Sequence, residues 1–387
     1  MSPVTPEHVA IVRLLDLPAL GSRRLLTLMG DRTPTEIVSS IRRGRVPEPF
    51  REFARSWRDA LELDVARRSE ADVVERLGDT RVVSIHEPDY PERLRLDIDP
   101  PPALFVRGDV THLHRTGVAI VGTRHATEYG RTAASELGRH LSRAGVNVVS
   151  GLALGVDAAA HRGVLSALQD REDVSAAPVG VPKVAPMGVP VGVVASGLDV
   201  VYPRANGGLW QAVARAGVVI GESPPGTSPD RFRFPLRNRI IAALSHAVVV
   251  VESRATGGSM ITVDEALKRD VPVMAVPGAT TTRASDGTNQ LLRDGALVAT
   301  SCDDVLALLG LESTGVHPVG RDLRVTPRGT DADVLAVFGH SPLNLDQVVT
   351  ACAPMMLGEV ALSLGRLESW GWLRHTSGWF ERVTRVW

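Results

Sequence analysis

The residues best suited to chemistry are arginines concentrated in one stretch of the chain. Between residues 204 and 239, six arginines accompany only two acidic residues, although the whole chain of 387 residues has a net charge of −1. Such a run is often a solvated surface, but here arginines alternate with Phe, Pro and Asn just before the apolar segment 240–244. Guanidinium groups grouped at a helix start suit a chain of phosphates. The pattern therefore predicts phosphate contacts by Arg204, Arg237, Asn238 and Arg239.

Four glycine-rich turns follow strand-like segments elsewhere in the chain. A glycine at a strand end lets backbone approach a ligand, and the N-terminus of the following helix offers unpaired N–H groups. Because parallel strands end at the same edge of a sheet, the four turns are expected to converge on one site. The candidate ligand residues in these turns are Gly122, Thr123, Arg124, Gly151, Gly155, Gly258, Ser259 and Asn289.

A dinucleotide cofactor is not expected at these turns. The chain has no G-x-G-x-x-G fingerprint, and the second strand ends in Ser150-Gly151 where an acid would hold a ribose. We therefore expect no cofactor.

Asp157, His161 and Glu252 are the polar groups near the turns that could act in catalysis. Asp157 and His161 lie one helical turn apart and can pair with each other. No serine or cysteine nucleophile with its own base accompanies them. We interpret the three as structural or positioning groups and expect no enzyme. Two alternatives stay open: a phosphoribohydrolase that uses Glu252 or Asp157 as acid or base, and a nucleotide-sensing adaptor.

Strands alternating with amphipathic helices must position these residues. This pattern predicts an α/β fold with a Rossmann-like, doubly wound parallel sheet. Strands are predicted at Gly117–Val121, Val146–Val149, Val191–Ala195, Val218–Ile220, Ala247–Val251, Val271–Val276 and Ala296–Ala299. Helices are predicted near 129–143, 205–215, 237–244, 260–269 and 302–309.

The rest of the chain suggests accessory modules around a core at 76–310. Residues 1–75 predict a small helical domain, with a Pro/Gly hairpin at 17–21 of the kind found in helix-hairpin-helix or SAM-like modules. Residues 311–328 predict a linker. Residues 329–387 predict three helices and then two strands, which is the winged-helix order. The proline-rich stretch 169–190 predicts a surface insertion.

Composition narrows the class of protein further. The start of the chain lacks the pattern of a signal peptide. The longest weakly charged run, 178–201, contains prolines that would break a membrane helix, so no membrane span is expected. Two distant cysteines, Cys302 and Cys352, provide neither a disulfide framework nor a metal site. These features predict a cytoplasmic protein without a bound metal.

Eight ordered motifs resemble the DprA (Smf) family. They read IVGTRHATEYG, VVSGLALGVDAAAH, SGLDVVYPRAN, GESPPGT, FRFPLRNRIIAALS, VVVESRATGGSMIT, AVPG and SDGTNQLLRDGA. The resemblance implies a Rossmann-like core that binds single-stranded DNA in a basic pocket, forms a homodimer and hands DNA to RecA during transformation, without nucleotide hydrolysis.

The resemblance also carries over to single residues. Arg124 matches the family's pocket arginine, and Arg204, Arg237 and Arg239 match basic positions in later motifs. Other residues match turn positions, namely Gly151, Asp157, His161, Gly258, Ser259 and Asn289. Leu154 departs from the family, which usually has arginine there, and the stretch 169–190 is an unusual insertion.

Overall fold

The computed structural model describes residues 3–174, 186–311, 325–339, 342–376 and 378–383. The chain divides into two compact units, Met1–Glu312 and Ser313–Trp387. Within the described ranges, no helix combines the length and the apolar composition needed to cross a membrane.

Five helices open the first unit. They are α1 (Pro6–Leu15), α2 (Gly21–Met29), α3 (Pro34–Arg42), α4 (Ala54–Arg67) and α5 (Glu70–Leu77). Thr5, Thr33 and Ser69 cap α1, α3 and α5, because their side-chain oxygens accept from first-turn N–H groups that have no intrahelical partner.

The apolar faces of these helices are buried against the sheet. Trp57 is fully buried, and its indole N–H donates to the Pro18 carbonyl at 2.8 Å, which holds the 17–21 hairpin between α1 and α2. Leu25 and Trp57 belong to one apolar cluster with Val83 and Leu104 of the first two strands. The helices predicted at 1–75 are therefore present and share a core with the sheet, while the boundary at residue 75 stays a prediction.

A nine-stranded sheet forms the centre of this unit, in the order β1-β2-β6-β5-β4-β3-β7-β8-β9. Its strands are β1 (Arg81–Ser84), β2 (Ala103–Gly108), β3 (Gly117–Val121), β4 (Asn147–Ser150), β5 (Pro190–Val193), β6 (Val218–Gly221), β7 (Ala247–Val250), β8 (Val273–Ala275) and β9 (Leu297–Val298). All neighbours from β6 to β9 are parallel. Most of these parallel strands are buried apolar runs, as strands covered on both faces must be.

The sheet is mixed, which corrects the expectation of a purely parallel one. β2 pairs antiparallel with β6, and β1 pairs antiparallel with β2. A short helix, α6 (Glu92–Arg95), lies between these two strands in the chain. The seven parallel strands all overlap the predicted segments, whereas β1 and β2 were not predicted.

Helices cover the sheet between its parallel strands. They are α7 (Glu128–Arg143), α8 (Val156–Val174), α9 (Gly207–Ala216), α10 (Arg233–Leu244), α11 (Gly258–Leu267), α12 (Asp286–Arg293) and α13 (Cys302–Leu308). Five of them match the predicted ranges, while α8 and α12 were expected only as helices after glycine-rich turns, without a range. Val156, Ala160, Val164 and Ala167 are buried along α8, a spacing that places them on one helical face.

The stretch 169–190 is only partly an insertion. α8 continues to Val174, and Met187 and Val189 are buried just before β5. The prediction of a surface insertion is therefore wrong at both ends of this stretch. Residues 175–185 lie outside the described part of the chain.

The order of the strands creates a switch point beside β3. From β3 the chain moves outward through β4, β5 and β6 and then crosses to β7 on the other side of β3. Val121 at the end of β3 lies opposite Val250 at the end of β7. Ligands of doubly wound sheets bind where the strand order reverses in this way.

The described residues of the second unit form three helices and a three-stranded antiparallel sheet. In chain order they are α14 (Thr330–Ala336), β10 (Leu343–Asn344), α15 (Leu345–Ala351), α16 (Leu357–Ser369), β11 (Leu373–Thr376) and β12 (Trp379–Arg382). The strand order is β10-β12-β11. Val334, Phe338, Val360 and Leu364 form its apolar core.

Candidate functional site

A cleft of 480 Å³ opens at the carboxyl ends of β3 and β7 and is named here the switch-point cleft. Its walls come from the turn after β3, the start of α8, the first turns of α10 and the turn between β7 and α11. The lining residues that matter below are Gly122, Thr123, Arg124, Asp157, Arg237, Asn238, Arg254, Gly258 and Ser259. The structure thus brings most of the predicted ligand residues together.

Two glycines allow the turn after β4 to form. Gly155 has a φ of 79°, and a Cβ there would lie 2.3 Å from the Thr123 carbonyl oxygen. A Cβ on Gly151 would lie 1.6 Å from Nη1 of Arg237. The absence of side chains at these positions lets the turn approach β3 and lets Arg237 lie across it.

The N-terminus of α11 contributes backbone donors to the cleft. Gly257 is its N-cap, no described side chain caps it, and its first turn contains no acid. Gly258 and Ser259 line the cleft, and the Ser259 hydroxyl donates to the Ser253 hydroxyl at 2.8 Å. Unpaired N–H groups and the positive end of the helix dipole favour an anion at this point.

Two exposed arginines supply positive charge at the cleft. The Arg124 guanidinium lies 5.0 Å from the centroid of the Phe234 ring, a cation–π contact. Arg254 follows β7 and is also exposed. In the described part of the chain, neither makes an ion pair with a carboxylate, so both are available to an anionic ligand.

Arg237 is a buried cation in the wall of the cleft. It is 6% exposed, its Nη1 donates to the Val193 carbonyl at 2.9 Å, and its Nε has no partner among the described residues. Burial lowers the pKa of Arg237 to about 10, while Asp157 opposes this shift. Arg237 therefore stays charged at neutral pH.

Asp157 is the single carboxylate among the described residues that line the cleft. It is buried and accepts from the backbone N–H groups of Gly151 at 3.1 Å and Ala153 at 3.4 Å. Burial raises the pKa of Asp157, and Arg237 opposes that shift. These contacts hold the turn after β4 and fit the predicted positioning role.

The predicted pairing of Asp157 with His161 is wrong. His161 is fully buried, and neither ring nitrogen has a hydrogen-bond partner of ordinary geometry among the described residues. Burial lowers the pKa of His161 to about 4, opposed by the backbone of Ser150. His161 is therefore a neutral ring in the core beside the site.

The carboxylate of Glu252 is engaged in hydrogen bonds within the fold. Its carboxylate accepts from the Thr127 backbone N–H at 2.9 Å and from the Thr127 hydroxyl. Thr127 caps α7, so Glu252 ties the end of β7 to the start of that helix. It is 2% exposed, which also fits a positioning role.

Five predicted ligand residues do not line the switch-point cleft, namely Gly151, Gly155, Arg204, Arg239 and Asn289. Arg204 is exposed in the turn before α9 but does not line the cleft. Asn289 makes a two-point contact with the backbone of Gly278, at 3.0 and 3.2 Å. This contact occupies its amide.

The assignment of Arg239 as a phosphate ligand needs correction. Its side chain is 4% exposed, pairs with Glu222 and lies 3.3 Å from Asp99. Because this guanidinium is buried between two carboxylates, we remove Arg239 from the candidate site.

Arg254 and a small side pocket were not predicted from the sequence. Arg254 lies between β7 and the Gly257-Gly258 turn, and its place directly after an apolar strand could have identified it. The side pocket, 60 Å³ in volume, adjoins Arg124 and Arg237. Its wall includes Tyr202, Phe234 and the exposed Leu154. The position where the family usually has arginine therefore lies at the site.

The described residues contain no cluster of three or more His, Cys, Asp or Glu side chains that could hold a metal ion. Taken together, the sheet and its cleft define a doubly wound α/β protein whose turns after β3, β4 and β7 meet at the switch point. The family model of DNA recombination-mediator protein A matches residues 81–310, which include the whole nine-stranded sheet. The chain belongs to this family, which confirms the resemblance found in the eight motifs.

Relatives and a solved structure agree with this assignment. The chain is 35% identical over 224 residues to the DNA processing protein DprA of Bacillus subtilis, covering 58% of this chain and 69% of the relative. It is 31% identical over 327 residues to the protein Smf of Synechocystis, covering 76% and 77%. The X-ray structure of DprA from Streptococcus pneumoniae superposes with a TM-score of 0.60 at 28% identity, covering 79% of this chain and 98% of that one.

Proposed function

We propose that this protein binds single-stranded DNA in the switch-point cleft, mainly through the sugar–phosphate backbone. The observation that carries this proposal is the charge of the cleft, where three arginines face one buried carboxylate. The uncapped N-terminus of α11 adds backbone donors. The name of the family and the DNA-processing names of the relatives support DNA as the ligand.

The geometry favours a flexible strand over a duplex. The cleft is concave and sits between turns, and duplex DNA is too stiff to bend readily into such a space. Contacts from cations and backbone N–H groups to phosphates carry no sequence information. We therefore expect binding that depends little on base composition.

We further propose, from the family resemblance, that the protein acts in the cytoplasm as a homodimer and passes the bound strand to RecA. The second unit is proposed to be a winged helix, supported by its order of helices and strands. Arg366, the one basic residue on α16, is held by Asp331 with contacts of 2.6 and 3.0 Å. This pairing favours a protein partner over DNA for that helix.

A role in binding without catalysis is also part of the proposal. The phosphoribohydrolase alternative needs a carboxylate free to exchange a proton beside the sugar. Glu252 is engaged by Thr127, and Asp157 by two backbone N–H groups. These contacts support positioning roles for both.

The decisive test replaces Arg124 with alanine. We expect Arg124→Ala to weaken binding of a dye-labelled oligothymidylate about tenfold and to lower the slope of log affinity against log salt by about 0.7, as one lost phosphate contact requires. Fluorescence anisotropy over a salt series measures both effects. Arg55→Ala is the matched control, because Arg55 is 89% exposed on α4, away from the cleft.

Three results would contradict the proposal. They are equal affinity of the native protein for duplex and single strands, an affinity that does not change with salt, and an Arg124→Ala variant that binds as tightly as the native protein.

A further inference from the structure

A second and larger cleft, of 850 Å³, lies in the same unit between the start of α2 and the start of α10. We name it the α2–α10 cleft. Its walls are the 17–21 hairpin, the first turn of α2, the 222–230 loop and the first turn of α10. Six arginines and three carboxylates line it.

The N-termini of α2 and α10 both lie at this cleft and lack a side-chain cap among the described residues. α2 has Leu20 as N-cap and α10 has Phe232, and no described side chain caps either helix. Neither first turn contains an acid, whereas Arg23 and Arg233 lie in these turns. Cations near the positive end of a helix dipole are unfavourable without a counter-ion; Arg23 has one in Asp99, whereas Arg233 pairs with no carboxylate among the described residues. An anion in the cleft would satisfy both helix ends at once.

Two of the six arginines are available for such an anion. Arg24 is exposed, donates to the Ala19 carbonyl and stacks on Phe53 at 4.8 Å. Arg233 donates to the Ser223 hydroxyl at 3.3 Å. In the described ranges neither pairs with a carboxylate. Ion pairs within the fold engage Arg23 with Asp99, Arg76 with Asp16 and Arg239 with Glu222.

Arg237 connects the two clefts. It lines both of them, and its buried Nε has no partner among the described residues. The first turn of α10 separates the clefts, with Phe232 on the α2–α10 side and Phe234 on the switch-point side. These two residues are two positions apart, so their Cα atoms lie within about 7 Å. A strand that leaves one cleft can therefore enter the other directly.

Phe232 offers a surface for a base at the entrance of the second cleft. Its side chain is 57% exposed, and the Arg233 guanidinium lies 5.0 Å from its ring centroid. An exposed aromatic ring beside a cation is the arrangement on which bases of single strands stack, since every base has a π-face.

We propose that the α2–α10 cleft is a second subsite for the same DNA strand. It takes phosphates against Arg24 and Arg233 and stacks one base on Phe232. This inference rests on the proposed function, because the strand reaches the second cleft from the switch-point cleft. A long oligonucleotide fills both clefts, whereas a short one fills the switch-point cleft alone.

The test compares two oligothymidylates, of about 4 and about 16 nucleotides, by fluorescence anisotropy with the full chain. We expect Arg24→Ala and Phe232→Ala each to weaken binding of the long oligonucleotide about tenfold, the size of one lost stacked base or phosphate contact. Both should leave binding of the short one unchanged. Arg124→Ala should weaken both lengths, and Arg55→Ala neither. Thermal melting of each variant verifies its fold.

The outcomes separate the two proposals. If Arg24→Ala and Phe232→Ala leave the long oligonucleotide bound as before while Arg124→Ala weakens both lengths, the second subsite is overturned and the proposed function stands. Equal weakening of both lengths by Arg24→Ala and Phe232→Ala also overturns the second subsite. If Arg124→Ala changes neither length, both proposals fail.

Discussion

Arginines on the two sides of α10 have different surroundings. In the switch-point cleft, Arg124 and Arg254 are exposed and have no carboxylate partner in the described part of the chain. Behind α10, Arg239 and Arg269 are each 4% exposed and paired with carboxylates. The carboxylates around an arginine therefore decide whether it stabilises the fold or remains free for a ligand.

The pKa of Asp99 shows how strongly the buried arginines interact with their carboxylate partners. Burial would raise the pKa of Asp99, but the hydrogen bond from Arg23 and the charge of Arg239 hold it below its usual value. A half-buried carboxylate that stays ionised, as Asp99 does, depends on its neighbouring cations. Loss of one of these cations should therefore lower the free energy of unfolding more than it lowers DNA affinity.

The largest effect is expected from Arg239→Ala. This change leaves Glu222 and Asp99 without a buried counter-charge, and such losses cost about 3 kcal/mol or more of unfolding free energy. Chemical denaturation measures the loss, with Arg124→Ala as the matched control that should unfold like the native protein. An Arg239→Ala variant that has native stability but no longer binds DNA would contradict the structural role of Arg239 and return it to the candidate site.

His161 is a buried group whose ring nitrogens have no hydrogen-bond partner of ordinary geometry among the described residues. Its folded-state pKa of about 4 lies below the ordinary 6.5, so the unfolded chain binds a proton more readily. Stability is therefore present above pH 6.5 and is lost as the pH falls towards 4, by about 3 kcal/mol.

Unfolding curves of native protein and His161→Leu between pH 7 and pH 4 measure this contribution. Leucine cannot take up a proton, so the difference between the two proteins gives the contribution of His161 separately from the contribution of the carboxylates. If the free energy of unfolding falls equally in the two proteins as the pH is lowered, His161 is not held neutral by burial.

The smallest effect is a gain from Leu154→Arg. Leu154 is 41% exposed in the side pocket beside Arg124, so a guanidinium there would remain solvated and reach the same ligand. We expect affinity for single strands to rise about fivefold and the salt slope to steepen by about 0.7. Leu154→Gln is the control of similar polarity without charge. An equal gain from both variants would assign the effect to polarity instead of phosphate binding.

Local sequence patterns predicted the seven parallel strands because each contains a short apolar run, which is buried in all of them except β9. β2 was not predicted because it pairs with β6, more than a hundred residues away along the chain, and β1 joins the sheet only through β2. The glycine turns and Arg124 were found because turn chemistry is local. Arg239 was misassigned because its carboxylate partners, Glu222 and Asp99, lie 17 and 140 positions away. Spacing along the chain contains no information about such neighbours.

The apolar core that the first five helices share with the sheet has a consequence for dissecting this protein. Leu25 and Trp57 lie in one cluster with residues of β1 and β2, and a second cluster joins Ile11 and Val73 to Phe105. A fragment that starts after α5 would leave the partners of these side chains facing water, and an exposed apolar surface of that kind promotes aggregation. Deleting the helices would therefore yield an insoluble product instead of an independent sheet domain, and single substitutions are the better way to assign their role.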